Sequence, residues 1–140
     1  MISAPPNVKA VFLLSVSAFV VWLACGLVMA FGRPAVGLET TLRIHAIAAP
    51  VFAALVSLAY FARFPAVTPL VAAAFVTAFI IVLDAAVVAP MFEKSYAMFS
   101  SVLGTWLPFL SIFVATYLTG IWTVRHSRQI PEGPAGELRR

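Results

Sequence analysis

The chain has 140 residues, of which 63% are hydrophobic and 10% charged, and its net charge is +4. A soluble domain carries about 25% charged residues, so this composition excludes a water-soluble fold and points to a single-domain integral membrane protein. The basic residues cluster at the ends of apolar runs and in the tail, where they orient membrane segments and do not form a nucleic-acid surface. The one cysteine, Cys25, excludes an internal disulfide and reads as a buried, inert thiol.

The first apolar run covers residues 10–31 and is uncharged throughout. It follows Lys9, an arrangement shared with signal sequences, but it exceeds the roughly 7–15 residues of a signal core and reads as a membrane helix. "FGRPAVGLETT" breaks the pattern with Gly32, Pro34 and Gly37. The second span is predicted over residues 42–62, with Pro50 as a potential kink. The tight "ARFPAVTP" follows, in which Pro65 ends one helix and Pro69 starts the next. The third span is predicted over residues 66–90, and the connection "MFEKSYAMFSS" leads to the fourth, residues 102–124. Ser100 or Ser101 is a natural N-cap for that helix. A stripe of Gly104, Pro108, Ser111, Ala115 and Thr119 marks its expected packing face, and Pro108 is another potential kink. Residues 1–126 form the membrane domain, and residues 127–140, "SRQIPEGPAGELRR" with its preceding turn, read as a flexible cytoplasmic tail.

The fold class is therefore an all-α, up-down antiparallel bundle of four transmembrane helices with both termini on one side. That side holds Lys9, Arg63, Arg125, Arg128, Arg139 and Arg140; the other holds Arg33, Arg43 and Lys94, with Glu39 and Glu93 beside them. Basic residues favour the cytoplasm, so both termini are expected in the cytoplasm and the protein in the cell's inner membrane. Aromatic residues fall near both interfaces: Tyr60, Phe61, Phe64 and Trp122 inside; Phe92, Tyr96, Phe99 and Trp106 outside.

Under this topology the polar groups gather in the outer half. Asp84 is the sharpest of them. It lies six residues before Pro90, about 9 Å of helix rise, too deep for a short side chain to reach the headgroups. An aspartate at a helix centre costs about 2.5–3.5 kcal/mol to insert, so it needs a polar neighbour or water. His45, Thr105 and Ser111 are the candidate neighbours on the second and fourth helices. A His45–Asp84 pair requires helices two and three to be adjacent, as their short loop suggests. Arg43 and Glu39, at the mouth of the second helix, have the i,i+4 spacing of an ion pair. Glu93–Lys94 reads as an ordinary loop pair. Thr77, Ser95, Tyr96 and Ser101 complete the candidate lining of a path to Asp84.

"RIHAIAAPVFAALVSLAYFARF" and "LGTWLPFLSIFVATYLTG" resemble a group of uncharacterised four-span bacterial membrane proteins over residues 42–120. That resemblance implies fold and location and no activity. "RIHA" also has the R-x-H element of the glutathione-linked membrane enzymes of eicosanoid metabolism. The Asn and Glu that should follow are replaced by Ile47 and by Ala49 or Pro50, and the match fails.

No motif for a nucleophile, phosphate loop, redox pair, cofactor or metal is present, although His, Asp and Glu donors would suit a hard or borderline ion. The expectation is a small inner-membrane protein with proton- or cation-linked transport or channel activity at an acidic site open to the outer side. The alternatives are a structural or accessory subunit of a larger complex, and a membrane enzyme with an outward-facing polar site. The bilayer is the expected partner, together with further copies of this chain or a larger membrane assembly.

Overall fold

Gly37 alone joins the first two helices, α1 (Val8–Val36) and α2 (Leu38–Arg63). Its φ of +81° lies in the left-handed region that glycine enters without a steric penalty. The Gly37 amide donates to the Arg33 carbonyl at 3.2 Å, and the Gly37 carbonyl accepts from the Thr41 amide at 3.1 Å. Thr41 Oγ1 adds a 2.6 Å bond to the same carbonyl. Thr41 is fully buried, with its side chain against Gly32, where an added Cβ would lie 2.6 Å from the threonine methyl. The corner thus closes because both residues facing it, Gly32 and Gly37, lack a side chain. The break expected at Gly32 and Pro34 does not occur: α1 runs through both, and Pro34 lies in its last turn.

The structure, a computed structural model, describes residues 8–64 and 66–127. Pro65 and the tail from residue 128 lie outside the described residues. The third helix, α3, is α-helical over Pro69–Leu83 and continues as a π-helix over Asp84–Glu93. Thr68 caps its start, the side chain accepting from the Val71 amide, with Pro69 in the first turn. The change of winding has a local cause. Pro90 lacks an amide hydrogen and its ring crowds the carbonyl one turn back, and a local π adjustment re-satisfies the freed groups inside a membrane helix. Lys94 stops the helix in the left-handed conformation, φ 51°. A 3₁₀ turn, Ala97–Ser100, leads to a π turn, Val102–Trp106, and then to α4, Leu107–Ser127. Ser101 is the cap, accepting from the Gly104 amide at 3.0 Å. Pro50 lies inside α2, which continues through it.

The four helical spans contain 29, 26, 25 and 26 residues, each beyond the roughly 20 needed to cross a bilayer. The chain is a four-helix, multi-pass membrane protein by length and composition. Around the bundle the order is α1–α2–α4–α3. α2 packs on α1 and α4, and α3 packs on α4 and α1, while α2 and α3 occupy opposite corners. The adjacency expected from the short α2–α3 loop is therefore wrong. The loop crosses the diagonal, and Gly120 of α4 makes the crossing possible. A Cβ there would lie 2.8 Å from both Phe61 Cε2 of α2 and Pro69 Cβ of α3.

Ala18, Ala49, Ala53, Ala72, Ala73 and Ala89 are fully buried, so small residues from three helices bring the backbones together. Val21, Phe61 and Ile112 fill the space that remains. On α4 and its lead-in turn the buried face is Thr105, Pro108, Ile112, Thr116, Gly120 and Thr123. Of the expected stripe only Pro108 is on it; Gly104, Ser111, Ala115 and Thr119 are half-buried beside it. One residue is about 100° around a helix, and a stripe of small residues does not distinguish two faces that far apart. Tyr60 and Phe61, expected at the inner interface, are buried and meet edge-to-face with centroids 5.3 Å apart.

Candidate functional site at Asp84

Asp84 begins the π-helical part of α3, and its amide reaches back to the carbonyls of Ile80 and Ile81. Its side chain is half-buried in the groove between α3 and α1. There Trp22 of α1 donates its indole N–H to Asp84 Oδ1 at 2.8 Å. Trp22 is itself half-buried and packs against Phe19, with centroids 5.5 Å apart. A tryptophan inside an apolar medium must place its N–H on an acceptor. A carboxylate there must find a donor. The pair satisfies both requirements and ties α1 to α3.

Trp22 has no titratable group and is not one of the candidates that the sequence suggests. A usable signal exists. Tryptophan concentrates at membrane interfaces, and Trp22 instead lies near the middle of a 29-residue helix. A polar aromatic group at that depth requires a partner on another helix.

The candidate neighbours of Asp84 are engaged elsewhere. Thr105 Oγ1 donates to the Met98 carbonyl at 2.7 Å, and Ser111 Oγ to the Pro108 carbonyl at 2.9 Å. The His45–Asp84 pair does not form, because α2 and α3 are diagonal. His45 instead turns toward the main chain of Cys25 on α1, and its Nδ1 is buried without a hydrogen-bond partner. Cys25 is a buried free thiol one turn beyond Trp22 and within electrostatic range of Asp84. α1 thus stands between His45 and Asp84, with Trp22 and Cys25 facing it from the middle. Among the described residues, no group of three or more His, Cys, Asp or Glu is placed to hold a metal.

No known protein family, curated protein or solved structure matches this chain.

The mouth of the bundle is organised by ion pairs. Glu39 accepts from Arg43 at 2.6 Å as the spacing implied, and both are exposed. Glu93 pairs with Arg33 of α1 at 2.5 Å, with a second contact of 3.3 Å, and not with Lys94. The left-handed Lys94 turns the chain away just after Glu93, while the parallel α1 and α3 bring Arg33 alongside it. Ser95 Oγ accepts from the Ala97 amide at 3.1 Å. Tyr96 is exposed and stacks on Phe99 at 6.4 Å. Ser101 is committed to its cap. Thr77 Oγ1, two turns inward of Asp84 on α3, is buried without a partner. Of the proposed lining, then, Thr77 retains an uncommitted donor inside the protein, whereas Ser95, Tyr96 and Ser101 build the connection between α3 and α4.

Each glutamate among the described residues has a basic partner; Asp84 has a neutral indole. An ion pair fixes a carboxylate in its charged form, while an indole donor supports the carboxyl without cancelling its charge. Asp84 is therefore the carboxylate, among the described residues, whose charge no basic side chain offsets.

Proposed function

We propose that this is a small multi-pass protein of a bacterial inner membrane that takes part in proton- or cation-linked transport through Asp84. The observation that carries this reading is Asp84 itself: a half-buried carboxylate within a membrane span, held by Trp22 and lacking a basic partner among the described residues. Intramembrane carboxylates of this kind serve ion and proton pathways. The alanine-packed core supports a route that runs along the α1–α3 groove between chains, in a homo-oligomer or a larger membrane complex, and not through the axis of one bundle.

The termini face the cytoplasm in this reading. Lys9, Arg63 and Arg125 at one end balance Arg33, Arg43 and Lys94 at the other, and Arg128, Arg139 and Arg140 of the tail break the tie. Reporter fusions at the C-terminus and at Lys94 test the orientation. Periplasmic activity from the C-terminal fusion overturns it.

The test of function is flux in liposomes across pH 5 to 8, comparing the wild type with Asp84→Asn. Proton or cation flux above empty liposomes, lost in the variant, supports transport. Equal flux in both, or none above the empty liposomes, favours the second reading, an accessory subunit in which Trp22–Asp84 fastens α1 to α3. Co-purification with a partner protein then identifies the assembly.

A further inference from the structure

A second polar site lies in the opposite half of the bundle, away from Asp84. Four helices line a small cavity of about 10 Å³, formed by Leu14, Ser17 and Val21 of α1, Val56, Ser57 and Tyr60 of α2, Val76 of α3 and Thr116 of α4. That is the space of about one water molecule. Tyr60 is 5% exposed and Thr116 1%, and the hydroxyl of each is buried without a hydrogen-bond partner.

Thr116, like Thr77 on α3, differs in this respect from two other buried threonines. Thr41 and Thr123 each donate to the carbonyl four residues back, at 2.6 and 2.8 Å. That bond is the ordinary outlet for a threonine inside a helix. Thr116 does not use it, and both Thr116 and Tyr60 are among the residues that line the cavity. Ser17 donates to the Leu13 carbonyl at 2.8 Å, leaving its oxygen lone pairs able to accept. Ser57 is a further hydroxyl-bearing residue of the lining. Two orphaned hydroxyls left dry would carry the full desolvation penalty of buried polar groups.

We infer that this cavity is a binding site for a single ordered water that bridges Tyr60 and Thr116, with Ser17 and Ser57 completing its shell. Buried waters typically make about three hydrogen bonds to polar groups that would otherwise be unsatisfied, and four hydroxyl-bearing residues, two of them with unpaired hydroxyls, line this cavity. The water joins α1, α2 and α4 by hydrogen bonds at a level where the rest of the lining is aliphatic. The inference does not depend on transport through Asp84.

The test uses the full chain in detergent. Tyr60→Phe and Thr116→Val remove one hydroxyl each while closely preserving shape. With a bridging water, each lowers the melting temperature by about 2–8 °C. The double variant loses less than the two losses added, because both act through one water. Without the water, each variant removes an orphaned group and the melting temperature stays level or rises, which overturns the inference. A second readout is independent of stability. X-ray-driven hydroxyl-radical labelling marks residues next to bound water even when bulk solvent cannot reach them. Tyr60 is expected to be labelled in the wild type and in Thr116→Ser, and several-fold less in Thr116→Val. An unlabelled Tyr60 in the wild type overturns the inference as well.

Discussion

Trp22 and Asp84, 62 positions apart in the chain, meet at 2.8 Å across the α1–α3 groove, and this bond fastens two parallel, non-consecutive helices within the membrane. Trp22→Phe keeps most of the packing and removes the donor. Side-chain hydrogen bonds between membrane helices are worth about 0.6 kcal/mol on average and up to about 1.7, so a loss in that range is expected. Asp84→Asn retains an oxygen acceptor and is expected to stay within about 0.5 kcal/mol of the wild type. Unfolding in mixed micelles by titration with a denaturing detergent measures both. Trp22→Phe matching the wild type would mean that the bond is idle.

Gly120 and Gly26 give a paired test of the diagonal packing. A methyl at Gly120 meets Phe61 and Pro69 at 2.8 Å, both held in the packed crossing of α2 to α3. Overpacking of this kind costs about 1–3 kcal/mol, and that loss is expected for Gly120→Ala. At Gly26, within α1, nothing lies within 4 Å of the added Cβ. There Gly26→Ala removes the backbone entropy of a mid-helix glycine and is expected to gain about 0.5–1 kcal/mol. The same unfolding assay should show the two alanines moving in opposite directions. Equal effects would contradict the α1–α2–α4–α3 order.

At the mouth of the bundle, Arg33 and not Lys94 is the partner of Glu93. The pair is partly exposed, with side chains 39% and 27% accessible. Such pairs contribute about 0.2–1 kcal/mol and weaken with salt. Arg33→Ala is expected to lose an amount in that range at low ionic strength and less at 1 M salt. Lys94→Ala should change nothing attributable to Glu93. A double-mutant cycle on Arg33 and Glu93, run at both salt concentrations, is the check, and zero coupling at low salt would remove the pair as a contributor.

What could be read from the chain, and what could not, divides along a physical line. Four apolar runs, the Ser101 cap, Pro69 at a helix start and the Glu39–Arg43 spacing are local signals, and each has its counterpart in the structure, although α1 runs on to Val36 and α2 begins already at Leu38. Lateral order is not a local property. A five-residue link over residues 64–68 can join neighbours or cross a narrow bundle, and the choice rests on whether α4 offers a gap, here Gly120. The partner of Asp84 follows from that order, so expecting adjacent α2 and α3 led to His45 instead of Trp22. The same limit explains the α4 face. Small residues at Gly104, Ser111 and Ala115 look like a seam, yet Thr105, Ile112 and Thr116 are the ones covered.

His45 provides the last test, because the sequence and the structure assign it different company. A His45–Asp84 partnership would make the effects of altering the two residues interdependent. The structure gives Asp84 to Trp22 and turns His45 toward Cys25, with α1 between them. The two share no hydrogen-bond partner, although Cys25 lies near both, and sites that are not in direct contact add to within about 0.3–0.5 kcal/mol. A cycle of His45→Phe and Asp84→Leu is therefore expected to be additive within that margin, while Trp22→Phe and Asp84→Leu should couple beyond it. His45→Phe has its own expected direction. Its Nδ1 is buried without a partner, and replacing a ring with an unsatisfied polar atom by an apolar one of similar shape is neutral or stabilising. In liposomes, a transport activity residing in Asp84 should survive His45→Phe and be lost in Asp84→Asn. Loss in both variants, with strong coupling between His45 and Asp84 in the stability cycle, would show that the two residues act as one site and that the Trp22 assignment is wrong.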